Sequence, residues 1–322
     1  MTLLNLEGWP ACGKTILWGL LDGESSIFMD PLHTYVPYAF IDKPIDEKPT
    51  IREFRQALSR TEYFKIEQTS FEGYYPISYG KGKNKNWKFE FNYTEFDKEF
   101  MRFIFSENPT YSEILNDFYN RYIRYYEVGK DQDYRYFCTM SNYFEYKKFH
   151  NEFKYEKKTI VLLRDAVDII ASRISREARE TDGNKTKNFA PDFQELIKNG
   201  EVEEIECFNK FYRKKSQTDN NILCIEFDSI FKDKIGVVKN ILQFLEIEFS
   251  PLYLKPTRDG VDLNDDVYQL DNKPNDTSKL LNPKQKFVIK FHKFLFRIHK
   301  QPFNIMSLRS IVAYIYLKFK NL

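Results

Sequence analysis

The chain opens on a short apolar run, TLLNLE (2–7), and returns to such runs at intervals: SSIFMD (25–30), YRYFCTMS (134–141), KKTIVLLRD (157–165) and NILCIEFD (221–228). Their length and their β-branched and aromatic content predict strands. Within the fourth, IVLL has no polar position, the pattern of a parallel strand covered on both faces. Between these runs the apolar positions recur at helical spacing over 14–21, 50–58, 95–105, 110–127, 166–179, 191–198, 201–216 and 230–247. Residues 31–49 carry Pro31, Pro37, Pro44 and Pro49 and are predicted to be loop.

Two stretches break this alternation. YFKIEQTSFEGYYPISYG and NWKFEFNY, on either side of KGKNKN (81–86), predict an aromatic-rich β-ribbon or lid over 63–93, within an insertion of about 60–130. Its Tyr and Phe side chains can line an acceptor pocket or simply pack. Residues 249–281 are irregular, and two basic amphipathic helices close the chain from about 279 to 322. The expected architecture is one α/β domain over 1–322, three layers deep, with a central parallel sheet flanked by helices.

Composition adds little to this, but charge distribution does. No acidic residue follows Asp276, whereas ten basic ones do, so the net charge of +2 hides a strongly cationic end. Such a tail suits an anionic membrane surface, a polyanionic substrate or simply a solvated helix face. No nucleic acid is expected. The four cysteines (Cys12, Cys138, Cys207, Cys224) are scattered without metal-binding spacing, as expected of reduced thiols in a cytoplasmic protein. Glu7 and the glycines after it interrupt the N-terminal apolar run, so no signal peptide is expected, and no run reaches the length of a membrane span. A peripheral position at the inner membrane surface stays open.

The first predicted strand runs into EGWPACGKTIL (7–17), which fits G-x-x-x-x-G-K-S/T from Gly8 to Thr15. In such a loop, successive backbone N–H groups form an anion-binding concavity and the following helix N-terminus adds partial positive charge. The candidate phosphate cradle is therefore Gly8, Trp9, Pro10, Ala11, Cys12, Gly13, Lys14 and Thr15. Lys14 offers a mobile ammonium, and the Thr15 hydroxyl a ligand for phosphate or metal. A second constellation is VLLRDAVDIIASR (161–173). Arg164 leaves a strand end, Asp165 is placed to cap the next helix, and Ser172 follows Arg164 by eight residues. A guanidinium and a hydroxyl converging there would hold a second anion. In a parallel sheet the ligand lies beyond the carboxyl ends of the strands, so the loop, Asp30, Arg164 and Asp228 are expected on one rim.

These motifs, taken in order with ILCIEFDSIFKDKIGVVKNILQFLEIEF, resemble the sulfotransferases that use 3′-phosphoadenosine 5′-phosphosulfate. The family loop commonly reads G-x-P-R/K-S/T-G-T/S-T, and its second phosphate motif R-D/N-P-x-D-x-x-x-S; Arg164, Asp168 and Ser172 match the latter. The resemblance implies a P-loop fold, a loop that holds the 5′-phosphosulfate, and a 3′-phosphate held by Arg164 and Ser172. It implies a returning basic loop at KPTRDGVD (255–262), where Arg258 and Gly260 would clamp the nucleotide. It also implies a catalytic base soon after the second strand, where MDPLHTY (29–35) offers His33 and Asp30, and no metal. The product would be adenosine 3′,5′-bisphosphate, and the acceptor a hydroxyl or amine, with a glycan preferred. The chain departs from the pattern at Ala11, where the family has Arg or Lys, at Lys14, where it has Ser or Thr, and at Ala166, where it has Pro. Lys14 is then the candidate catalytic cation, displaced by three residues from its usual place. Two other readings remain: a Mg-ATP kinase built on the Lys14–Thr15 pair with Asp30 or Asp165 on the metal, and a nucleotide-binding or membrane-surface protein without catalysis.

Overall fold

The computed structural model describes residues 2–29, 46–58, 93–124, 134–140, 157–181, 193–254, 257–258, 261–262 and 277–299. Five strands, β1 (Thr2–Gly8), β2 (Ile27–Met29), β3 (Tyr136–Met140), β4 (Lys157–Leu163) and β5 (Ile222–Glu226), pair in the order β2-β3-β1-β4-β5. Every pairing is parallel. All five strands fall on the apolar runs that predict them, and β1 continues one residue further, to Gly8. The last five residues of β4 are buried, because a strand sandwiched between helices has no solvent face.

The chain leaves β1 toward β3 and β2 on one side and leaves β4 toward β5 on the other. The crevice of this sheet therefore lies between the carboxyl ends of β1 and β4. Register brings two candidate elements to it: Gly8 pairs with Leu162, so Arg164 leaves β4 directly beside the start of the glycine loop.

Helices α1 (Lys14–Leu21), α2 (Ile51–Leu58), α3 (Tyr93–Glu107) and α4 (Tyr111–Arg124) precede β3. Phe54 of α2, Phe96 and Phe100 of α3 and Phe118 of α4 are fully buried, and their rings meet at centroid distances of 5.5–5.7 Å. These four aromatics build a small core of their own rather than a substrate pocket. The ribbon expected over 63–93 lies, but for Tyr93, outside the described residues.

After β4 come α5 (Ala166–Thr181), α6 (Phe193–Lys198), α7 (Glu201–Lys215), β5, α8 (Phe227–Lys232) and α9 (Lys234–Phe244). The single helix expected over 230–247 is thus two. Asp233 breaks it with φ −147° and ψ 67°, and its carboxylate accepts the Gly236 N–H at 2.9 Å. An aspartate that bonds to the backbone three residues on starts a helix instead of continuing one. Asp233→Ala is expected to lower stability by about 1 kcal/mol, read as a reduced urea midpoint with an unchanged slope.

The region beyond Phe249 contains a short hairpin of β6 (Thr257–Arg258) and β7 (Val261–Asp262), then α10 (Pro283–His299). Asn282 and Gln285 cap α10 reciprocally, each side chain accepting the other's backbone N–H at 2.9 Å. The second closing helix of the sequence reading falls outside the described residues. No described helix is long and apolar enough to cross a membrane.

Candidate active site

The glycine loop turns sharply after β1. The Cys12 N–H donates to the Trp9 carbonyl at 3.0 Å, and the two left-handed residues are Ala11 (φ 65°) and Gly13 (φ 98°). Gly13 is required twice over, since a Cβ there would also stand 2.6 Å from the Phe227 ring. Helix α1 starts at once, with no side-chain cap and no acidic residue in its first turn. Its N-terminal partial positive charge is therefore not offset by a carboxylate of its own.

The loop's side chains divide between rim and core. Thr15 is exposed, and Pro10, Ala11, Gly13 and Lys14 are half-buried. The Lys14 ammonium curls back to donate to the Gly8 carbonyl at 2.7 Å. Trp9 is buried, its indole N–H donating to Glu201 Oε1 at 3.0 Å and its ring edge-on to Phe208. The Cys12 thiol is buried too, and burial pushes it above the ordinary thiol range despite the opposing charges of Lys14 and Arg164. The side chains of Trp9 and Cys12 thus anchor the loop in the core, and the Cys12 N–H closes its turn.

Arg164 faces the loop from the end of β4. Its guanidinium donates to the Ala11 carbonyl at 3.2 Å and lies 4.0 Å above the centre of the Phe227 ring. Burial pulls its pKa down, while Asp168, Cys12 and Asp228 act the other way. Asp165 Oδ1 accepts the Val167 N–H at 2.8 Å, the capping role expected of it. Ser172 is half-buried two turns into α5, and Asp228 is exposed at the start of α8. Arg258 sits on β6, which packs against α1, the helix that follows the loop. Asp30, His33 and Gly260 lie outside the described residues.

Three supporting residues escape a motif reading. Phe227 touches both Gly13 and Arg164 and so fixes the spacing between loop and guanidinium. Asn209, buried in α7, donates to the Arg164 carbonyl at 2.9 Å, and Glu201 at the start of α7 holds both Trp9 and Arg173. The signal for Asn209 is a polar residue on the buried stripe of Val202, Ile205, Phe208 and Tyr212. A cavity of about 410 Å³ opens beside Arg164, between the ends of β4 and β5, walled by Asn209, Phe227, Asp228, Lys232 and Arg297 among others.

A parallel α/β sheet with a glycine-rich loop at its switch point, faced by a buried arginine, is a frame that suits many reactions rather than one. Residues 139–295 match the family described as the sulfotransferase domain. The matched span, just under half of the chain, takes in Arg164, Ser172 and Phe227, while the glycine loop precedes it. No curated protein sequence matches the chain. Among solved structures it is similar to the sulfotransferase domain from the curacin biosynthetic pathway, at 13% identity over 91% of this chain and 97% of that one, with a TM-score of 0.46. It is also similar to the sulfotransferase domain from the Synechococcus PCC 7002 olefin synthase, at 14% identity over 98% and 94%, TM-score 0.44. A sulfotransferase from Alicyclobacillus acidocaldarius aligns at 12% identity over 91% and 92%, TM-score 0.40.

Proposed function

We propose that the sulfuryl donor is 3′-phosphoadenosine 5′-phosphosulfate and that the acceptor is a hydroxyl, or an amine, of a carbohydrate. One observation carries the donor: Arg164 reaches the glycine loop itself, at the Ala11 carbonyl, from the far side of the switch point. A donor phosphorylated at both its 5′ and 3′ positions needs two anion sites locked to each other, and this contact locks them. The residues suit such a group, because left-handed backbone, as at Ala11 and Gly13, is the element from which anion-binding turns are built, and Phe227 packs directly behind Gly13.

The bound donor supplies the sulfuryl group, which passes in line to the acceptor. Backbone N–H groups between Trp9 and Thr15 hold the 5′-phosphosulfate. Lys14 exchanges its bond to the Gly8 carbonyl for the donor and neutralises charge gathering on the leaving phosphate. Arg164 and Ser172 hold the 3′-phosphate, and Arg258 with Gly260 closes over the nucleotide. His33, or else Asp30, takes the acceptor's proton. The glycan acceptor rests on the resemblance alone, since bacterial members with this motif set often act on glycans.

Calorimetry tests the donor. Adenosine 3′,5′-bisphosphate is expected to bind without Mg²⁺ and more tightly than ATP. Tighter, Mg²⁺-dependent binding of ATP would replace this reading with the kinase that Lys14 and Thr15 also suit.

A further inference from the structure

We propose that α10 docks the enzyme on an anionic lipid bilayer surface. The inner face of the helix is settled: Ile289 is fully buried, His292 meets Glu203 of α7, and Lys293 meets Asp165 and Glu206. The outer face has the opposite character. Phe287 and Phe294, one heptad apart, are 57% and 56% exposed, and Leu280 just before the helix is 56% exposed. Lys290 lies on the same stripe as the two phenylalanines and is also exposed, as is Lys284 at its edge, while Arg297 stands between this stripe and the cavity it helps to wall. The Phe287 ring stacks on Phe291 at 6.3 Å, which widens the apolar strip.

Large aromatics interleaved with cations, and without acids, are what an interfacial helix presents to anionic headgroups. The rings enter the boundary between headgroups and acyl chains while the ammonium and guanidinium groups meet lipid phosphates. Asp165, Glu203 and Glu206 are engaged by His292 and Lys293 on the inner side of α10, and Glu226 and Asp228 line the cavity that Lys293 and Arg297 also wall. No acidic residue occurs from Thr277 to the end of the chain, so nothing in this part of the sequence opposes the outward charge. A second copy of the chain is a poorer occupant, because pairing this face with itself would set cation against cation. The Lys293–Asp165 contact also places the docking helix one residue from Arg164 in the chain, so the bilayer-facing element and the candidate donor site share one support. The proposal rests on α10 and is independent of which donor or acceptor the enzyme uses.

The test is sedimentation of the full chain with vesicles of phosphatidylcholine alone and of phosphatidylcholine mixed with phosphatidylglycerol. Binding is expected only to the mixed vesicles, and it should weaken as salt is raised. Lys284→Glu with Lys290→Glu should lower the partition coefficient at least about tenfold, from the loss of two surface cations and the gain of two anions. Phe287→Ser with Phe294→Ser should lower it as well at unchanged charge. Both double variants change exposed side chains and should melt like the wild type. Equal binding to both vesicle types, no binding, or variants that bind as the wild type does would each overturn the proposal. So would a wild-type dimer in gel filtration that the phenylalanine variant converts to monomer, which would assign the face to a second copy.

Discussion

Arg164→Ala is expected to weaken binding of adenosine 3′,5′-bisphosphate by roughly 10- to 150-fold, the range for losing a hydrogen bond to a charged group. ADP, which lacks the 3′-phosphate, should lose far less. It should still lose something, because the guanidinium also bonds to the Ala11 carbonyl and stacks on Phe227, and both contacts hold the loop. Ser172→Ala separates the two effects. Ser172 lies two turns into α5 and away from the loop in sequence, so its loss should weaken the bisphosphate by about tenfold or less and leave ADP unchanged. Calorimetry with both nucleotides on both variants reads this directly. If Arg164→Ala weakens ADP and the bisphosphate equally, the arginine is only a brace for the loop and the second anion site is elsewhere.

Removing the base should have the larger effect on turnover. His33→Ala is expected to retain nucleotide binding and to lose about 10²- to 10⁴-fold in kcat, the usual contribution of a positioned proton acceptor. The wild-type rate should also rise with pH through about 6.5, as a neutral imidazole becomes available, and this limb should vanish in the variant. Steady-state kinetics across pH checks both. Unchanged transfer by His33→Ala would move the role to Asp30, for which Asp30→Asn is the matching variant.

The sheet was legible because burial on both faces leaves a strand no polar position, as in Ile160–Leu163. The turn after β1 was legible because a left-handed backbone position such as Gly13 constrains residue type. Strand order was not, since nothing local in β3 says that it will lie between β2 and β1. The break at Asp233 was hidden by an apolar pattern that runs through both helices in phase, while the decision was made by one side chain bonding to the Gly236 N–H. Phe227 and Asn209 were illegible for a different reason. Their work is done on residues far away in sequence, Gly13 and Arg164, and no window along the chain holds both partners.

Helix α7 has a consequence for how this enzyme can change. Glu201 at its start anchors the loop through Trp9, and Asn209 anchors Arg164. The step of eight positions from Glu201 to Asn209 rises by about 12 Å, a length an α-helix cannot stretch or compress. The helix acts as a ruler laid across the glycine loop and the end of β4, so the distance between them is inherited as a unit. Substitutions on the rim can tune either element, but drift toward a donor of another length would have to begin inside α7.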